Sequence, residues 1–60
     1  MDNTIDMGRV FGIVEDLSDE LYDMTKKAAN AYFDNGDIEL LSIVVIKTGL
    51  QPREILWLWL

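Results

Sequence analysis

The sequence predicts a single all-α domain, residues 1–60, built as a small bundle of three to four helices. Three observations predict it. Met7, Val10, Val14, Leu17, Leu21, Met24, Ala28 and Ala31 follow one another at alternating intervals of three and four, the a/d spacing of a packed helix face. Turn-forming residues gather at two places, Asn35-Gly36-Asp37 and Thr48-Gly49-Leu50-Gln51-Pro52, and cut the chain into three blocks. Helix-capping residue types stand at the block ends, Gly36, Asp37, Gly49 and Pro52, and within the first block at Ser18.

The first block holds the a/d stripe, widened by Phe11, Ile13 and Tyr32. Ser18 followed by Asp19 and Glu20 reads as an N-cap with acids in the first turn, where they favour the positive end of the helix dipole. Gly8 and Gly12 each weaken a helix by about 1 kcal/mol relative to alanine. Two helices are therefore expected, over 4–16 and 19–34, with one continuous helix as the alternative. Asn35-Gly36 then ends the second helix in the left-handed conformation, and Asp37 caps the next. A loop this short makes the two flanking helices antiparallel.

The second block, 38–48, is apolar almost all round: Ile38, Leu40, Leu41, Ile43, Val44, Val45, Ile46. Its β-branched residues also suit a buried strand, but the caps at Asp37 and Gly49 favour helix. A helix apolar on every face needs burial on every face, which points to an oligomer or partner in so short a chain. The third block starts at Gln51 or Pro52, with proline at the favoured first helical position. Ile55 to Leu60 then continues as a two-turn helix or, because Leu and Trp alternate, as a strand.

Leu41 to Leu58 resembles a helix-turn-helix motif. Gly49 sits at the turn, with Val45 four residues before it, where a small residue usually packs. Leu50 follows the turn, and Ile55 and Leu58 fall where the second helix buries residues. The resemblance covers under a third of the chain. It implies a transcriptional regulator that reads DNA with the second helix. That helix offers Gln51, Arg53 and Glu54, then tryptophans and leucines, where polar and basic groups normally meet base edges.

Charge separates the two ends of the chain. Residues 1–37 carry nine acids against Arg9, Lys26 and Lys27, which is the whole net charge of −6. Residues 38–60 are neutral, with Glu39 and Glu54 against Lys47 and Arg53. Such a balance disfavours nucleic acid and anionic membranes, both of which are bound chiefly through Lys and Arg. No signal peptide or membrane span is read, and the expected location is cytoplasmic.

The chain has no cysteine and no histidine. Disulfides and thiolate metal sites are thereby excluded, and the commonest acid–base group is missing. Ser18, Ser42, Thr4, Thr25, Tyr22 and Tyr32 have no histidine base beside them. Gly8 and Gly12 are not followed by the Lys-Ser/Thr of a phosphate loop. A calcium loop centred on Gly36 would place Ala31, Phe33 and Ser42 at ligand positions, so that motif fails. No enzyme activity, cofactor or metal is expected.

Two groups of residues remain as candidates. Asp16, Asp19, Glu20 and Asp23, with Glu15, form an acidic cluster that either simply faces solvent or receives a basic protein; a divalent metal is the least favoured reading, since a helix face splays carboxylates outward. Leu56, Trp57, Trp59 and Leu60 form an apolar tail that either closes the core or makes an interface, Trp being enriched in binding hot spots. The expected protein is a non-enzymatic adaptor or inhibitor that binds another protein, and its expected form is a homodimer joined through this tail. The alternative is the helix-turn-helix DNA regulator.

Overall fold

The computed structural model describes residues 5–60. Among them the chain forms four helices and no strand: α1 (Met7–Glu15), α2 (Asp19–Asn35), α3 (Glu39–Thr48) and α4 (Pro52–Leu58). Helix α1 starts where Asp6 accepts from the Arg9 backbone N–H at 3.1 Å. The helix begins later than the expected residue 4, because Ile5 and Asp6 precede it and Asp6 is its cap. The expected break at Ser18 is present, and its hydroxyl oxygen accepts from the Leu21 N–H at 3.2 Å.

Helix α2 ends at Gly36, whose φ of 68° lies in the left-handed region. The Gly36 and Asp37 N–H groups return to the Tyr32 and Ala31 carbonyls at 2.8 and 3.3 Å, satisfying two carbonyls the helix end would otherwise strand. Asp37 acts one residue earlier than a regular cap. Ile38 holds the cap position, and the Asp37 carboxylate accepts from the Glu39 N–H at 2.9 Å. Helices α2 and α3 form the principal packed pair, and α4 lies against both.

The α3–α4 connection is a tight turn. Gly49 has φ 79°. The Thr48 hydroxyl donates to the Val44 carbonyl at 2.7 Å and accepts from the Leu50 N–H at 3.1 Å. Pro52 occupies the first turn of α4. The tail after it is helical, which leaves the strand alternative unrealised. Leu50 and Ile55 are buried and Val45 and Leu58 half-buried, so the residues singled out by the helix-turn-helix resemblance all pack in or against the core.

The core consists of Val10, Ala28, Ala29, Leu41, Val44, Leu50 and Ile55. The a/d stripe enters it only in part. Val10 and Ala28 are buried, but Met7 is 56% exposed, and α2 buries Thr25 and Ala29 from outside the stripe. The physical reason is that the stripe presumes one partner along one narrow seam, whereas α2 packs against both α3 and α4. Helix α3 departs from expectation in the same way. It buries Leu41 and Val44 but leaves Ile43 and Ile46 exposed, because no element among the described residues covers its other face. No helix of the described residues is long and apolar enough to cross a membrane.

Candidate functional site

Three local arrangements stand out. The first ties α1 to α4. Arg9 Nη1 donates to both carboxylate oxygens of Glu54, and Arg9 Nη2 donates to the Gly49 carbonyl at 2.8 Å. Glu54 is 5% exposed. Its carboxylate also accepts from the Gln51 N–H at 2.7 Å, the reciprocal bond of a helix capping box. Burial pushes the Glu54 carboxyl upward. The bonds from Arg9 and Gln51 and the charges of Arg9 and Arg53 outweigh it, and the net pKa is lowered from 4.5. A buried carboxylate is stable only with such partners. Sequence reading missed this cluster, since 45 residues separate its members. Its signal was Glu54 three residues after Gln51.

The second arrangement is the tryptophan pair. Trp57 stacks obliquely on Phe11 of α1 at 5.9 Å between ring centroids. Trp59 stacks on Tyr22 of α2 at 5.2 Å. Its Nε1 donates to the hydroxyl of fully buried Thr25 at 2.8 Å, and that hydroxyl donates onward to the Tyr22 carbonyl at 2.6 Å. Lys26 Nζ lies 5.8 Å from the Trp59 ring, within cation–π range. Both tryptophans are half-buried against their own chain. The tail residues thus part company: Leu56 packs on the core and Leu60 is 93% exposed.

The third arrangement is an open groove of about 470 Å³. Tyr32 of α2, Ile38 before α3, Leu41, Ser42, Val45 and Ile46 of α3, and Pro52 and Leu56 of α4 line it. None of these residues carries a charge. The Ser42 hydroxyl turns back to the Ile38 carbonyl at 2.9 Å, so it presents no open donor to the groove. Ile38 is 58% and Ile46 83% exposed at its edges. Sequence reading flagged the 38–48 block as too apolar for one short chain, but named its interface residues in the tail rather than in α3.

The acidic candidates all face solvent. Asp16 ends α1, Asp19 and Glu20 stand in the first turn of α2, and Asp23 pairs with Lys27 at 3.2 Å. No group of three or more carboxylates gathers as a metal site among the described residues.

The fold and these surfaces define a small all-helical protein with an apolar groove and an acidic flank. No protein-family model matches the chain, and neither a curated protein nor a solved structure aligns with it significantly.

Proposed function

We propose that the protein is a non-enzymatic protein–protein interaction module, a small acidic adaptor or inhibitor that also associates with itself. The observation that carries this reading is the uncharged groove beside α3, with Ile38 and Ile46 exposed at its edges. Its apolar lining suits protein side chains and offers nothing to orient a reaction. The acids Asp16, Asp19, Glu20 and Asp23 supply a second surface, suited to a basic partner by charge steering.

Photo-crosslinking residues placed singly at Lys27, beside Asp23, and at Ile46 test the reading in cells that produce the protein. Discrete protein adducts are the expected result, with a basic protein captured from position 27. Protein adducts at neither position sink the reading.

A DNA regulator is the second reading, favoured by the tight Gly49 turn between α3 and α4. Against it, Glu54 is turned inward onto Arg9, which leaves Gln51 and Arg53 as the exposed polar side chains of the α4 start. Anisotropy titration with duplex DNA at low salt separates the two. Tight, salt-sensitive binding replaces the first reading with the second.

A further inference from the structure

We infer that the bare face of α3 is the self-association surface, and that its occupant is a second copy of this chain with the two α3 helices antiparallel across a two-fold axis. The inference rests on the reading of the protein as an association module and names where that association occurs.

The first support is the pattern along α3 itself. Successive residues turn by about 100° around a helix. With Leu41 and Val44 buried, the opposite side presents Glu39, Ser42, Ile43, Ile46 and Lys47, all exposed. Two isoleucines therefore stand at the middle of this face, with an acid at one end and a base at the other. Ile43 is 46% and Ile46 83% exposed.

This pattern is complementary to itself only when reversed. An antiparallel pair brings Glu39 of each copy opposite Lys47 of the other and sets Ile43 of both beside the axis. A two-fold contact uses the same patch on both partners, so one favourable match is made twice. A parallel pair would put Glu39 against Glu39 and Lys47 against Lys47.

The second support is the groove that borders this face. In the antiparallel register Ile46 of one copy arrives within a turn of Ser42 of the other. The Ser42 hydroxyl is already bonded to Ile38, so covering it strands no donor. The third support is the charge balance. Residues 38–60 are neutral, so copies meeting here avoid the repulsion that the −6 of residues 1–37 would impose elsewhere. A second copy in this register pairs both charges of the face at once.

Light scattering after size exclusion and sedimentation equilibrium, from nanomolar to high micromolar concentration, test the inference on the full chain. Ile46→Glu is the decisive variant, since a residue so exposed is dispensable to the fold of one copy. Circular dichroism verifies that its helix content is kept. Leu60→Asp alters the other highly exposed apolar residue and serves as the control for a tail-centred contact.

The expected result is a dimer whose dissociation constant Ile46→Glu raises by about a hundredfold or more, since the contact is lost twice, and which Leu60→Asp leaves within about twofold. Glu39→Lys should weaken it several-fold and Glu39→Lys/Lys47→Glu should recover the loss, as expected of solvent-exposed rim charges. A monomer at every concentration overturns the inference. So does a dimer indifferent to Ile46→Glu, one that Leu60→Asp dissolves, or one that the double charge exchange fails to restore. A monomeric result ends self-association in both readings but leaves the crosslinks to a different protein from position 27 untouched, so the binding of another protein fails or stands separately.

Discussion

Helices α3 and α4 are both apolar in composition, yet they dispose of that apolarity in opposite ways. Helix α4 and the residue after it turn both tryptophans inward: Trp57 to Phe11 of α1, Trp59 to Tyr22 and Thr25 of α2. Helix α3 buries one side and leaves Ile43 and Ile46 outside. The larger aromatic groups, which most resemble hot-spot residues, are thus engaged at home, while the smaller β-branched ones are free. Residue type ranks what an interface prefers. The chain's own neighbours decide which residues remain to make one.

The inward-facing side of this contrast is the costlier one to disturb. Ile55 of α4 is fully buried. Ile55→Ala should cost about 2–5 kcal/mol through lost transfer energy and the cavity left behind. A chain of 60 residues has little stability to lose, so unfolding at room temperature, read by circular dichroism or urea titration, is the expected outcome. A variant that keeps its helix content and urea midpoint contradicts the placement of Ile55.

The Arg9–Glu54 pair comes next, because it fastens α1 to α4. Arg9→Met leaves the Glu54 carboxylate buried without its main donor. The expected loss is about 2–3 kcal/mol, less than the ~3–5 kcal/mol for breaking a fully buried pair, because the Arg9 side chain keeps 40% of its exposure. The pH dependence has a defined sign. The Glu54 pKa in the folded chain is lowered from 4.5, so the stabilisation is fully present above that value and disappears as pH falls through the lowered one. The stability difference between wild type and Glu54→Gln should therefore shrink on acidification below pH 4.5 and stay constant above it. A difference that grows toward acid refutes the assignment.

Trp59→Phe probes the polar half of the tail's engagement. The ring contact with Tyr22 is largely preserved, but the indole N–H to Thr25 is lost. The Thr25 hydroxyl still donates to the Tyr22 carbonyl, so it keeps one partner. The expected cost is ~1 kcal/mol, the net value of one hydrogen bond. Trp57→Phe removes no such bond and should cost less. Equal losses from the two would assign the tail's stabilisation to ring packing alone.

Much of this fold was legible because helix ends are local chemistry. Ser18 and Gly36 lie within four residues of the backbone groups they satisfy, so their types announced the breaks before any packing was known. The α3–α4 turn was legible from Gly49 and Pro52 for the same reason. What stayed hidden was long-range. Glu54 reads as an ordinary first-turn acid until Arg9 is brought across 45 residues to meet it. Thr25 reads as a neutral helix residue until Trp59 arrives from 34 residues away. The uneven burial of α3 was hidden too, since periodicity says that a helix is apolar all round and leaves open which side its neighbours cover.

The smallest effect is the most discriminating test of the contrast between the two helices. Ile46→Ser removes an isoleucine from a mid-helix position at little cost in helix propensity, since the two residues rank close together. Were Ile46 of α3 packed into the core in the way Ile55 of α4 is, the change would open a cavity and cost as much as Ile55→Ala. At 83% exposure there is no cavity to open, and the stability of the dilute single chain should move by about 0.5 kcal/mol or less. Urea titration at nanomolar concentration, followed by tryptophan fluorescence, reads it where association is absent. Repeated at high micromolar concentration, the same pair of titrations should diverge, because wild type gains stability from mass action on assembly and the variant does not. Divergence at both concentrations would move Ile46 into the core of one chain. Divergence at neither would leave α3 with a bare apolar face that self-association does not use.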